Sequence, residues 1–370
     1  MTEYNRLVLI SNTCDISGMK NLPRRLSFKS FLLILTVVFL FTADSRAEDF
    51  KPVSCVNPRN PKETPSTDIN GMAFIDEKDG ITNFLAVVQV RKIDKVAILS
   101  VEAGKPTCTL LSWKGSPPDV PSGLEALTSI PGTYKDKGTV TQEFLALNQD
   151  GQIYHFMYDS SCKCVSTLGQ FGVPSLPKGI DYEALALQKV GTELVIAWAE
   201  RGRNHDPEAK LFWSRFVIDS VKKTYGFLGV ELAKKASNTT KFDSTTINVP
   251  YPVDDQIRDI SDLKIDTAGT VFIISTSDTE EAVKLEDRKK AFSSAFYSAG
   301  VFSIAAGKVE FKKPNVYTPM RKFDGQKVEA LELVPGRYGG VAFATDNEEG
   351  CATFLFSQEG KQAKVTLKCI

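Results

Sequence analysis

Apolar residues in this chain recur mostly at every second position, the period of a β-strand rather than of a helix. Asn83–Val90, Lys95–Val101 and Thr107–Trp113 are successive strand-like runs. Glu143–Asn148, Gln152–Tyr158 and a run from Cys164 form a second group, with the turn signal Asn148-Gln149-Asp150-Gly151 inside it. Glu193–Ala199 and Lys210–Val217 make a third group, Thr270–Ser275 and Ala299–Ile304 a fourth. Gly340–Thr345, Cys351–Phe356 and Ala363–Leu367 make a fifth. Helical patterning is nearly absent. Glu280–Phe296, charged at Glu280, Glu281, Lys284, Glu286 and Lys289, predicts one solvated helix inserted between strands. Glu231–Ser237 predicts a short helical or irregular stretch.

Each group opens on one short phrase. It reads Leu124-Glu125-Ala126-Leu127, Tyr182-Glu183-Ala184-Leu185 and Val328-Glu329-Ala330-Leu331, with weaker copies at Ile69-Asn70-Gly71-Met72 and Ile260-Ser261-Asp262-Leu263. The copies are 55, 58, 78 and 68 residues apart. Units of about four antiparallel strands repeated at this interval describe an all-β propeller. Five copies predict five blades, with six as the alternative if an insertion hides one. Insertions near 228–250 and 279–298 account for the two longer spacings. Residues 50–56 offer a strand that closes the ring beside the final strand ending near Leu367. Two stacked β-sandwiches are the rival fold, but no Pro/Gly/Ser-rich linker divides the chain.

Residues 1–47 stand apart from this pattern. Lys20, Arg24, Arg25 and Lys29 precede an apolar run, Phe31–Phe41, and Ser45-Arg46-Ala47 follows it. That is the layout of a secretory signal peptide cut after Ala47, with Met19 as a plausible true start. An uncleaved anchor is the alternative, although the run is shorter than the roughly 20 residues of a membrane span. The expected product is therefore exported, periplasmic or extracellular, and its single propeller domain spans 48–370. Without the first 47 residues, 39 basic and 42 acidic residues remain, a net charge of −3. This balance gives no support to nucleic-acid binding, and a monomer is the expected state.

Six of the seven cysteines lie beyond residue 47: Cys55, Cys108, Cys162, Cys164, Cys351 and Cys369. An even number in an exported chain predicts disulfides. Cys351 and Cys369 are the best candidate pair, on strands of one terminal hairpin unit. Cys162-Lys163-Cys164 is tight for a self-bridge, so outward pairing, one of the two with Cys108, is the expectation.

If the five phrases superpose, Asn70, Glu125, Glu183, Ser261 and Glu329 form a polar ring around the channel mouth. Each carboxylate could simply cap backbone N–H groups in its own blade. Alternatively Glu125, Glu183 and Glu329 are metal ligands, and a hard cation such as Ca²⁺ would relieve the repulsion among them. Asn148, Glu200, Asp278 and Asp346 end the next strands and suggest a second polar layer. The loop Glu200-Arg201-Gly202-Arg203-Asn204-His205-Asp206 carries two guanidinium groups suited to anions and a histidine suited to acid–base work. It reads equally well as a hydrophilic turn. Arg258, just before the fourth phrase, is a further candidate catalytic group. No nucleophile elbow, phosphate loop or H-E-x-x-H occurs.

The run Asp181-Tyr182-Glu183-Ala184-Leu185, with Glu200-Arg201-Gly202 and Lys210–Arg215 after it, resembles the exported propellers called esterase-like phytases. Arg258–Ile265 followed by Thr270–Asp278 resembles the related SdiA-regulated propellers. The resemblance spans most of residues 68–346 through short motifs. It implies a propeller fold and, at the glutamates, calcium-assisted hydrolysis of phosphate esters. That family has Glu-Gly where this chain has Glu-Ala at 125–126, 183–184 and 329–330, and here Asn70 and Ser261 replace carboxylates. Two function classes remain: a module that binds a small ligand or protein at its mouth, and a calcium-assisted hydrolase. No complete catalytic constellation is visible, which favours the first and leaves the question of enzymatic activity open.

Overall fold

The computed structural model describes residues between Phe50 and Gln358 apart from 59–66, 91–92, 115–120, 132–140, 175–180, 203–208, 220–223, 228–241, 253–256, 278–291, 336–339 and 347–351. The described residues open with two short strands, β1 (Lys51–Pro52) and β2 (Cys55–Val56). Five antiparallel sheets follow, and no helix occurs among the described residues. Blade 1 holds β3 (Thr67–Lys78), β4 (Ile81–Val90), β5 (Ile93–Glu102) and β6 (Lys105–Leu110), with β2 parallel to β6 on its rim. After β7 (Ser112–Lys114), blade 2 runs through β8 (Leu124–Ser129), β9 (Thr141–Asn148), β10 (Gln152–Asp159) and β11 (Cys164–Gly172). There β7 lies parallel to β11, repeating the arrangement of β2.

Blade 3 holds β12 (Tyr182–Val190), β13 (Glu193–Glu200), β14 (Ala209–Asp219), β15 (Thr224–Phe227) and β16 (Asp243–Ile247). Blade 4 holds β17 (Ile257–Ile265), β18 (Thr270–Ser277), β19 (Ser293–Ala305), β20 (Lys308–Lys312) and β21 (Arg321–Asp324). In both, the outermost layer is built from two short strands, β15 and β16 on β14, β20 and β21 on β19. The extra strand contributes to the longer spacing of these units. Blade 5 holds β22 (Val328–Val334), β23 (Gly340–Thr345) and β24 (Thr353–Gln358), and β1 completes it by pairing with β24.

The fold is thus a five-bladed β-propeller, closed by residues from the start of the domain. The closing strand β1 pairs with β24; the strand expected to end near Leu367 falls outside the described residues, as do Cys351 and Cys369. The helix expected over Glu280–Phe296 is corrected at its C-terminal end, where Ser293 onward is strand β19. Phe296 and Tyr297 are buried there. Residues 231–237 lie outside the described set.

Each side of each blade meets a neighbour, so strand alternation here sorts residues between two cores rather than between core and water. In β4, Phe84, Ala86 and Val88 pack toward blade 5, while Leu85 and Val87 pack toward blade 2. In β13, Val195, Ala197 and Ala199 face blade 4, and Ile196 and Trp198 face blade 2. A fifth cluster around Ile274, Phe296, Leu331 and Phe343 fills the joint of blades 4 and 5. Tight turns join the strands. Asp79-Gly80, Ala103-Gly104 and Ala306-Gly307 have both residues at positive φ, the two-residue hairpin geometry whose twist matches that of the strands.

Candidate functional site

The repeated phrase lies on the innermost strand of every blade, β3, β8, β12, β17 and β22, and each of these packs against the next around the ring. The strand register skips at the phrase in all five. Asn70 is extra between Ile69 and Gly71, Glu125 between Leu124 and Ala126, Glu183 between Tyr182 and Ala184, and Glu329 between Val328 and Ala330. Ser261 falls in the longer skip between Arg258 and Asp262. A bulge leaves a residue out of the ladder and re-aims its side chain. The polar ring read from the sequence is therefore a ring of bulges at the N-terminal end of the inner strands.

Its members do different work. Asn70 Nδ2 donates to Leu124 O at 3.4 Å and to Glu125 Oε2 at 3.3 Å, joining blades 1 and 2. Ser261 Oγ bonds Val328 O at 3.1 Å and Ile274 O at 3.3 Å, joining blades 4 and 5. Both reach the carbonyl just before the bulge of the next blade, a contact that needs a donor and that a carboxylate cannot make. Glu183 pairs with Arg201 at 3.2 Å, and Arg201 N donates to Asp181 O beside the phrase. Glu329 pairs with Lys327 at 3.4 Å, and Lys327 also reaches Asp346 at 3.8 Å. Glu183, Glu329 and Lys327 are buried.

One turn of strand deeper lies a cluster that the sequence reading did not assign. Asp262, Lys264 and Glu332 are buried on the inner strands of blades 4 and 5. Lys264 Nζ donates to Met72 O at 2.9 Å in blade 1 and to Leu127 O at 2.5 Å in blade 2, and lies 3.4 Å from Glu332 Oε2 and 3.9 Å from Asp262 Oδ2. Asp262 accepts from Leu263 N and, across the blade joint, from Leu331 N, both at 2.7 Å. Glu332 accepts from Phe74 N and Leu333 N. Burial pushes the carboxyls of Asp262 and Glu332 up to about 7, against the opposing pull of Lys264. One ammonium faces two carboxylates, so the cluster is neutral when they share one proton. The signal was present in the aligned phrases. Asp262 stands where the other copies have Gly71, Ala126, Ala184 and Ala330, and Lys264 where they have Ala73, Thr128, Ala186 and Glu332.

The remaining candidates are distributed as follows. Arg201 is half-buried beside Glu183. Arg203, His205 and Asp278 lie outside the described residues, and Arg258 is described only as part of β17, in register with Thr276. Asn148 serves its turn, accepting from Gln152 N at 2.8 Å and donating to Ser122 O at 3.4 Å. Glu200 sits opposite Tyr182, whose hydroxyl is pushed up to about 12 by burial and then by Glu200. The outward pairing expected of the C-x-C cysteines is corrected. Cys162 bridges Cys164, and Cys108 bridges Cys55. The bend is possible because Lys163 takes φ +47°, which turns the chain back within a single residue. Asp159 lies close enough to both sulfurs for a shared metal ion, but two sulfurs joined to each other are not thiolate ligands.

No family model matches the chain, and no curated protein matches its sequence. Solved structures match its fold. An exo-1,5-α-L-arabinanase from a bovine ruminal metagenomic library has 9% identity and a TM-score of 0.41, covering 80% of this chain and 94% of its own. An α-L-arabinofuranosidase from Lactobacillus brevis has 10% identity and a TM-score of 0.42, covering 78% and 89%. The β-fructofuranosidase of Bombyx mori has 11% identity and a TM-score of 0.42, covering 88% and 67%. The expected resemblance to esterase-like phytases and SdiA-regulated propellers is corrected: no family model matches the chain. At this level of likeness the neighbours carry no argument about the chemistry of this chain.

Proposed function

We propose that the mouth of the propeller is a carboxylate-centred hydrolytic site for a neutral, hydroxyl-rich substrate of the glycoside class, in a protein exported as a monomer. The observation that carries this reading is the bulged ring, which sets Glu125, Glu183 and Glu329 at equivalent places on blades 2, 3 and 5. Glycosidic bonds are broken by pairs of carboxyl groups, one protonating the leaving oxygen and the other acting as nucleophile or base. The cations of the ring, Arg201 and Lys327, are engaged with carboxylates. A phosphate dianion would have to compete for them, and this weighs against a phosphate ester. A calcium reading narrows to the joint of blades 1 and 2, where the buried Asn70 Oδ1 accepts no hydrogen bond among the described residues and Glu125 is its neighbour. Around the rest of the ring, Ser261 already bonds carbonyls, and Glu183 and Glu329 already face cations.

The second reading is a binding module without turnover. It is favoured by Asn70 and Ser261, which spend their donors on holding blades together. The test is a panel of chromogenic glycosides and plant and microbial polysaccharides, assayed with and without Ca²⁺, on the native chain and on Glu183→Gln and Glu329→Gln. Hydrolysis should fall about 10²–10⁴-fold in at least one variant, the usual loss on removing acid–base catalysis. Saturable glycan binding without turnover would establish the second reading instead. A folded protein that neither binds nor cleaves any of these would overturn both.

A further inference from the structure

We propose that the Cys162–Cys164 bridge is a thiol–disulfide exchange site whose co-reactant is a dithiol. The two bridges of the described chain differ in kind. Cys55–Cys108 spans 53 residues, is buried, and joins two strands in direct register. It closes a long loop and so constrains the unfolded chain. Cys162–Cys164 spans 2 residues and closes almost no loop, so the same stabilisation is not available to it. Nor does its hairpin need a bridge. Asp159 pairs with Cys164 across the strands, and Asp159 Oδ1 accepts from Ser161 N at 2.9 Å and from Ser161 Oγ at 2.5 Å.

The surroundings suit attack from outside. Cys162 is exposed and Cys164 is buried, so access selects the Cys162 sulfur as the point of attack. Lys163 stands between the two half-cystines in the left-handed region. The three other non-glycine residues found there among the described residues each precede a glycine in a two-residue turn. Opening the ring frees this constrained residue. Ammonium groups favour a departing thiolate. Lys163 is adjacent, and Lys114 is near enough to act on Asp159, whose carboxyl is held below the usual range chiefly by its bonds from Ser161. Asp159 itself opposes negative charge on the sulfurs, a carboxylate oxygen and the two Sγ atoms all lying within 4.8 Å of one another.

In the reaction, one thiolate of the dithiol attacks Cys162 Sγ. The Cys162–Cys164 bond breaks, and Cys164 leaves as a thiolate that takes up a proton. The second thiol of the co-reactant loses its proton and attacks its own mixed-disulfide sulfur, expelling Cys162 as a thiolate that is then protonated. The partner is oxidised to a disulfide, and two electrons and two protons have moved to this protein.

The native full chain, held in graded dithiothreitol without denaturant, quenched by alkylation and mapped by peptide mass spectrometry, tests the assignment. Cys162 and Cys164 should become labelled at least about tenfold faster than Cys55 and Cys108, as exposed bridges exchange ahead of buried structural ones. A Cys162→Ser/Cys164→Ser variant should melt within about 1 °C of the native protein. Equal labelling of both bridges, arriving only with unfolding, would overturn the proposal, as would a double variant destabilised as much as Cys55→Ser/Cys108→Ser. Neither measurement depends on glycoside turnover.

Discussion

Lys264→Met removes the cation from the buried cluster with Asp262 and Glu332 while roughly keeping the volume of its side chain. At an effective dielectric of about 20, separations of 3.4 and 3.9 Å correspond to gross attractions of about 5 and 4 kcal/mol to Glu332 and Asp262. Desolvating the lysine offsets much of this. What remains is the cost of stranding two buried carboxyls and leaving the carbonyls of Met72 and Leu127 without their donor. Breaking a buried pair by removing one partner costs about 3–5 kcal/mol, a large share of the roughly 5–15 kcal/mol that holds a domain folded. Urea denaturation followed by tryptophan fluorescence at pH 7.5 should show the midpoint falling with an unchanged slope. The penalty should shrink near pH 5, where the stranded carboxyls take up protons. A loss below about 1 kcal/mol, or one independent of pH, would mean that Lys264 is hydrated like a surface residue and that the reasoning is wrong.

Three further outcomes follow from the same contacts. Asp262 and Glu332 titrate near 7 in the fold against ordinary values of 3.8 and 4.5, so their protonation favours the folded state. That stability is complete below the ordinary values and is lost as pH rises through 7. One shared proton makes the native protein about 2 kcal/mol more stable at pH 5.5 than at pH 8, and Glu332→Gln should flatten this slope in urea titrations. A Cβ at Gly71 would stand 2.8 Å from Leu127 N, so Gly71→Ala should cost about 1–3 kcal/mol by forcing apart blades 1 and 2, read from the thermal midpoint. Ser261→Ala removes the single hydroxyl hydrogen shared between Val328 O and Ile274 O at the joint of blades 4 and 5 and should cost about 1–2 kcal/mol in the same assay, with Ser261→Thr recovering part of it.

The blade number was legible because the phrase repeats once per inner strand, and each repeat carries a register skip that local sequence already marks. The outermost layers of blades 3 and 4 were not legible, since β16 and β21 are short pieces whose pairing partners lie 30 or so residues away in sequence and carry no periodic signal of their own. Helix propensity misled at Ser293–Phe296, where Phe296 packs on Phe343 and the tertiary contact overrides the local preference. The chemistry of the ring was half visible. Alignment placed the five side chains at one level, but only the fold distinguishes Ser261, bonded to two carbonyls, from Glu183, held by Arg201. Asp262 and Lys264 were hidden for a different reason. Charged residues alternating with apolar ones look like the wet face of a strand until both faces are known to be buried.

The clasp made by β1 also sets an order of assembly. Lys51 and Pro52 are the first residues placed in the ring and pair with Phe354 and Thr353, some 300 positions away, with Val53 N donating to Ala352 O. During synthesis this strand emerges long before its partner exists. The ring can shut only after the last blade arrives, since β1 pairs with β24. The Cys55–Cys108 bridge then acquires a kinetic meaning, because it moors the waiting strand to the rim of the first blade within reach of the gap. Oxidation before closure should hasten the final step, and a chain lacking that bridge should linger as an arc able to accept a strand from a neighbouring molecule.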